Sequence, residues 1–343
     1  MPSVRRKLLI AVSGGLAVAV ALGGVVACSS GNASTTESKA GDATSARTVS
    51  IGKNAGKTAT ETALTVAPQA AIRAELPKAI LDSGKLVIGV GALPSGFPPL
   101  AYVGDDQKTL TGSEPDLGRL IAAVFGLSAD VQNASWQNMF VRIDSGLFNV
   151  GLSNITDTEE RKEKYDFASY RQDNLGFEVL KSADWNFAGD YQLLSGKTIA
   201  VGSGTNQEKL LLEWNTKLKA AGKTGIDVKY FNDANSQLLA LQSGRIDGAF
   251  APNPGNQYQI AQSVSGPRPL RSAGTFSGAG ASLQGLIAAT TKKDNGLAKA
   301  LADAINYLIA NGQYSKLLQA YSLTSEAVTK SELNPPGLPK SNS

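Results

Sequence analysis

Gly84-Lys-Leu-Val-Ile-Gly-Val-Gly91 is an apolar, β-branched run held between glycines, and Gly196-Lys-Thr-Ile-Ala-Val-Gly-Ser-Gly204 repeats its grammar. Short runs of that composition bounded by glycine predict buried strands. Downstream of the first lies Asp144-Ser-Gly-Leu-Phe-Asn-Val150, echoed after the second by Gln242-Ser-Gly-Arg-Ile-Asp-Gly248. In both, Ser-Gly predicts a helix end capped by a left-handed glycine, with a strand beginning within three residues. The repeat predicts two similarly built α/β units rather than one continuous sheet.

Between the copies, Ser113-Glu-Pro-Asp116 opens a helical stripe of Leu117, Leu120, Ile121, Val124 and Phe125. Ser113 and Asp116 fit a capping box, with Pro115 in the first turn. The final third holds another strand, Gly285-Leu-Ile-Ala-Ala-Thr-Thr291, and then a stripe of Leu297, Leu301, Ile305 and Leu308. With no further unit to complete, that last segment is expected to return to the first half.

Composition narrows the chemistry. The 343-residue chain is 42% hydrophobic, 18% charged and carries a formal net charge of +4. That is enough apolar content for one large core or two medium ones, and no basic patch calls for nucleic acid. The absence of histidine excludes Ser-His-Asp and Cys-His triads and most zinc sites. A single cysteine, Cys28, excludes an internal disulfide.

Cys28 ends an apolar run, Leu8 to Val26, that follows Arg5, Arg6 and Lys7. A basic start, an apolar stretch and a small residue at its end have signal-peptide form. Val25-Val26-Ala27-Cys28 resembles the bacterial lipobox, whose cysteine is lipidated and becomes the new N-terminus. From Ser29 to about Val66 the chain is rich in Ser, Thr, Gly and Ala and reads as a flexible tether, reaching roughly 35 Å. The expected organisation is a signal peptide over 1–27, a tether over 28–70, lobe 1 over 71–180 plus 285–330, lobe 2 over 181–284, and a tail over 331–343.

One stretch stands out by charge: eight of the seventeen residues from Asn154 to Tyr170 are charged. Together with Phe97-Pro-Pro-Leu100, Gly112-Ser-Glu-Pro-Asp-Leu117, Trp136, Asp166-Phe167, Ser203-Gly-Thr205, Lys292-Lys-Asp294 and Gly312-Gln-Tyr314, its Asn154-Ile-Thr-Asp-Thr-Glu-Glu-Arg161 completes a pattern. In order and spacing, over roughly residues 76–323, these motifs resemble the bacterial extracellular solute-binding proteins of family 3. The resemblance implies a two-lobe α/β fold of the periplasmic-binding-protein type, hinged by two crossing strands. It further implies capture of a small carboxylated polar solute, an amino acid above all, for an ABC permease and its ATPase. No cofactor, metal or covalent step is implied, and the chain is expected to be monomeric.

In that family the residue matching Arg161 forks onto the solute carboxylate, a geometry that suits a planar guanidinium. Phe97 and Trp136 match two aromatics that sandwich the solute, and Asn154 and Thr156 match polar contacts. In the second lobe, Ser203, Thr205 and Asn206 lie where a strand turns into a helix, whose free N–H groups suit an anion. The family's acids for an ammonium group are missing. Nothing acidic lies between Gly84 and Val103, and Pro252 takes the other position, with Asn253 beside it as a neutral oxygen. Dehydratases that resemble the family need a general acid or base in the cleft. Without histidine or those acids the chain reads as a binding protein, with a sensory lipoprotein on the same fold as the alternative.

Overall fold

The computed structural model describes residues 44–340. Cys28 and the expected signal peptide lie outside the described residues.

The chain opens with a hairpin, β1 (Arg47–Ile51) against β2 (Thr62–Val66), in antiparallel register from Arg47↔Val66 to Ile51↔Thr62. This corrects the tether expected over 28–70 for its described part. Val49, Ile51, Leu64 and Val66 alternate with exposed neighbours and are buried, the period-2 pattern of a half-buried strand. Bulk Ser/Thr content had hidden that alternation.

Short helices α1 (Ala70–Arg73) and α2 (Lys78–Ser83) lead into β3 (Lys85–Val90), and β4 (Tyr102–Val103) pairs with β5 (Leu110–Thr111). Helix α3 (Ser113–Val124) is followed by β6 (Ser128–Asn133), α4 (Trp136–Asp144) and β7 (Val150–Gly151). Strand β3 runs parallel to β6 and β7. The long strand β8 (Tyr165–Leu180) then leaves the first lobe for the second.

There the order is β9 (Thr198–Val201), α5 (Asn206–Ala220), β10 (Asp227–Tyr230), α6 (Ala234–Gln242), β11 (Gly248–Pro252), α7 (Asn253–Ser263) and β12 (Leu270–Ser277). Strand β13 (Gly285–Lys292) returns to lobe 1, where α8 (Ala298–Ala310) and α9 (Gln313–Ala320) close the fold. The expected echo is visible: Gly146 and Gly244 both sit at positive φ after a helix, and each next strand starts four residues later.

Each lobe has its own core. In lobe 1, Leu86, Ile88 and Val90 of β3 meet Leu120, Ile121 and Phe125, together with Leu301, Ile305 and Leu308 from the returning helix, all fully buried. Lobe 2 is built on aromatics: Phe177 stacks on Phe250 at 4.4 Å, and Phe187 and Trp214 pack around them. Such ring pairs add about 0.5–1.5 kcal/mol each beyond area burial.

Two sequence expectations change. The lobes share one nine-stranded hydrogen-bonded sheet, because β8 pairs with β13 up to Asp173 and with β11 and β12 from Asn174 on. The crossover therefore falls at Asp173–Asn174, and Leu175, Phe177 and Val179 belong to the lobe 2 core rather than to lobe 1. The capping box is also not formed. Gly112 is the N-cap of α3, and both acids of its first turn face inward. Asp116 accepts from Gly52 N at 2.7 Å and Tyr321 Oη at 2.7 Å, tying the N-terminal hairpin and the C-terminal turn to this helix.

The tail over 331–340 is a built part of the molecule. Ser331 N donates to Asn306 Oδ1, and Leu338 exchanges backbone hydrogen bonds with Asp157 and Glu159. The Leu338 side chain is buried in the lobe 2 cluster, and Lys209 of α5 donates to Pro339 O at 2.8 Å. The tail thus touches both lobes along one edge.

Candidate functional site

A cavity of about 200 Å³ lies between the lobes. Phe97, Trp136, Ser153 and Asn154 wall it from lobe 1, and Ser203, Thr205, Asn206 and Pro252 from lobe 2. The lobes touch around it. A Cβ on Gly255 of α7 would lie 2.3 Å from the Phe97 ring, so that ring covers the helix where it has no side chain. On the other flank, Arg161 Nη2 of lobe 1 donates to Gly204 O of lobe 2 at 3.3 Å.

Local structure sets each group. Phe97 N–H donates to Ala101 O at 2.6 Å, closing the Pro98-Pro99 loop that presents the ring. Trp136 is the first residue of α4 and meets Phe140, one helical turn on, edge-to-face at 5.2 Å. Thr205 caps α5, its Oγ1 accepting from Glu208 N at 3.2 Å. Asn154 holds a positive φ of 47°, fixed by Glu114, which accepts from its N–H at 2.6 Å, and by Arg171, which donates to its Oδ1. Glu114 also accepts from Tyr170 Oη at 2.7 Å. Burial pushes its carboxyl above the usual range, while Arg171 and these donors pull it back.

Three expected contacts stand off the cavity wall. Thr156 is buried and its Oγ1 donates to Asp173 at 2.7 Å. Asn253 accepts from Gln257 at 3.1 Å, and its neighbour Pro252 reaches the cavity instead. Arg161 lines an adjoining groove of about 850 Å³ that shares Thr205 and Asn206 with the cavity. Its guanidinium lies 5.3 Å from the ring centroids of both Trp136 and Phe140, a cation–π arrangement. Nη1 donates to Thr156 O at 2.9 Å, so two of its five N–H groups bond to protein. Burial lowers its pKa to about 10, which leaves it charged at neutral pH.

The wall also holds groups that the sequence reading did not single out. Asp233, Gln237 and Phe231 face the cavity from lobe 2, and Leu93 and Ser95 from lobe 1. Asp233 is the one charged residue on this wall among the described residues. It caps α6, accepting from Ser236 N at 2.9 Å and Ser236 Oγ at 2.8 Å. An Asn-Asp pair before a helix was legible as a cap, but nothing local said that this cap borders the cleft. Among the described residues no cluster of His, Cys, Asp and Glu could hold a metal ion.

Comparison with known proteins gives the family and agrees with the fold. The profile of the bacterial extracellular solute-binding proteins, family 3, matches residues 88–324. The L-cystine-binding protein TcyJ of Escherichia coli (strain K12) is 32% identical over 171 residues, 49% of this chain and 59% of that protein. The match thus spans little more than half of that relative's length. The arginine-binding protein ArgT of Corynebacterium glutamicum is 27% identical over 269 residues, 78% of this chain and 84% of that protein. Among solved structures, a mutant of ArgBP from T. maritima superposes with a TM-score of 0.60 at 24% identity, covering 71% of this chain and 97% of that one. An arginine-bound amino acid ABC transporter substrate-binding protein, AbpA, from Streptococcus pneumoniae gives 0.59 at 23% identity, covering 72% and 99%. With the family profile spanning well over half the sequence, the chain belongs to the bacterial extracellular solute-binding proteins, family 3.

Proposed function

We propose that the protein captures a small carboxylated polar solute, an amino acid in the first instance, between its lobes. It then presents the closed form to the permease of an ABC importer. The interlobe cavity carries this reading, with solute positions from both lobes converging on it. Its volume of about 200 Å³ is below the roughly 300–1,000 Å³ of drug-sized pockets, which suits a metabolite. Arg161, charged and with N–H groups to spare beside Thr205 and Asn206, supports an anionic end. Asp233 supports a cationic end on a wall where the family's usual acids are missing. The names of the relatives, cystine- and arginine-binding proteins, favour an amino acid.

Binding shifts an open–closed equilibrium around β8, and no bond is made or broken. We further propose that the protein is held at the outer face of the cell membrane by lipid on Cys28. A thermal-shift panel of amino acids and related carboxylates, followed by calorimetry, tests the reading. One or a few amino acids should raise the unfolding temperature in a concentration-dependent way. A flat panel overturns it.

A further inference from the structure

Asp173 is the last residue of β8 paired to lobe 1, and its side chain is 1% exposed. Its Oδ2 accepts from Thr156 Oγ1 at 2.7 Å and from Asn206 Nδ2 at 3.0 Å. Thr156 belongs to the lobe 1 loop whose carbonyl holds Arg161; Asn206 is the first residue of α5 in lobe 2. One carboxylate, on the strand that crosses between lobes, thus fixes a residue from each. The second amide proton of Asn206 goes to Gly278 O at 3.0 Å. A Cβ on Gly278 would fall 1.7 Å from Asp173 Oδ2, so the glycine leaves room for the carboxylate.

A donor count gives this arrangement its meaning. Threonine has one hydroxyl proton and asparagine two amide protons. All three are consumed by Asp173 and Gly278, so neither side chain has a proton left to donate to a solute. What they fix is the backbone: the start of α5 and the loop that carries Arg161. Asp173 Oδ1 is buried without a hydrogen-bond partner.

We propose that Asp173 is a positioning residue for solute capture, linking the Arg161 loop to the N-terminus of α5 so that both halves of the site stay in register. The inference rests on the solute-binding reading for its affinity readout and on geometry alone for the rest. The charged groups facing Asp173 are Arg171 from its own strand, Glu326 from the C-terminal turn and Arg161 from the loop. Burial raises its pKa to about 6. Above that pH both bonds end on a charged carboxylate; below it, the proton settles on the unpartnered Oδ1, the bonds to Oδ2 lose their charge assistance and the link weakens.

The test uses Asp173→Asn, which keeps the shape and one acceptor oxygen but removes the charge that strengthens both bonds and puts an amide donor where no acceptor waits. With the amino acid that stabilises the wild type most, Asp173→Asn should weaken Kd at pH 7.5 at least tenfold. The wild type should lose affinity as pH falls through 6, and the variant should lack that component. Asp157, whose proton leaves near pH 7, is present in both proteins and cancels in the difference. A folded variant with wild-type Kd and an unchanged pH profile overturns the proposal, as does a weakened Kd whose profile stays parallel to the wild type.

A second readout needs no solute. Cysteines placed at exposed Val141 of lobe 1 and Leu239 of lobe 2, in the full chain carrying Cys28→Ser, take spin labels for a distance measurement. Asp173→Asn should broaden the interlobe distribution and lengthen its mean. Should the wild type bind nothing in the panel, the capture reading fails while this measurement still decides the link. Identical distributions in the two proteins overturn it.

Discussion

Glu178 offers the sharpest energetic test of the structure. It lies on β8 in lobe 2, opposite Ala249 of β11 and Ser272 of β12, and is fully buried. Neither carboxyl oxygen has a hydrogen-bond partner. Burial alone raises its pKa from 4.5 to about 8. Between those values the folded protein keeps a proton that the unfolded chain has shed. Stability must therefore fall as pH rises across that window, by about 1.4 kcal/mol per unit where the two states differ fully. The whole window amounts to roughly 4–5 kcal/mol, a large share of the 5–15 kcal/mol typical of a folded protein. Glu178→Gln carries no ionisable proton and removes this slope. Urea unfolding of both proteins at pH 5, 6, 7 and 8, followed by the fluorescence of Trp185 and Trp214 in the same lobe, gives the difference directly. The variant should gain on the wild type steadily up to about pH 8, whatever the amide costs at pH 5. Parallel curves would refute the claim that this carboxyl is folded in as the neutral acid.

Arg161→Ala should weaken solute binding by about 10- to 150-fold, the worth of a charge-assisted bond of 1.5–3 kcal/mol, with little change in unfolding temperature; calorimetry beside a melt checks both. Arg161→Lys should recover only part of that loss, since an ammonium cannot replace a planar fork. Gly337→Ala puts a Cβ 2.4 Å from Asp157 O and 2.7 Å from its carbonyl carbon. Overpacking against backbone should cost about 1–3 kcal/mol, read as a lower urea midpoint with an unchanged slope. Cys28→Ser should move the protein from the membrane fraction to the soluble one, and retention would show that the anchor is not lipid on that residue.

The parts of the fold legible in sequence were those written in local periodicity. The strand at Lys85–Val90, the αL caps at Gly146 and Gly244 and the stripe of α8 all follow from spacing and turn chemistry. The N-terminal hairpin was lost because its threonines and serines match a linker in composition, while only Val49, Ile51, Leu64 and Val66 carry the strand period. The lobe boundary failed for a different reason. The polar run Arg171-Gln172-Asp173-Asn174 inside β8 sits where its partners change from β13 to β11 and β12, but a polar run within one strand does not by itself name a change of partner. Asp116 was expected in a capping box with Ser113, and Glu114 lies in the same first turn, where acids are favoured. Their true partners, Asn154, Tyr170, Gly52 and Tyr321, are 40 to 205 residues away or inside a turn that no pattern predicts.

The same long-range bonding explains where the charge of this site resides. Acids on the cavity wall are sparse, yet the hinge holds Glu114, Arg171, Asp173 and Glu326 in nearly complete burial, with Arg171 paired to Glu326. Each needs its partner, because a buried charge left alone costs about 3–5 kcal/mol. Arg171 also holds Asn154 in its strained backbone, and Asp173 holds Thr156 and Asn206. An apolar hinge of equal volume could have been as stable, but it would fix no single orientation of those three residues. Directional bonds to a carboxylate and a guanidinium do, and they do so from β8, the strand that both lobes share. The charge buried at the hinge therefore acts on the cavity by setting its backbone, while the cavity wall itself stays almost neutral.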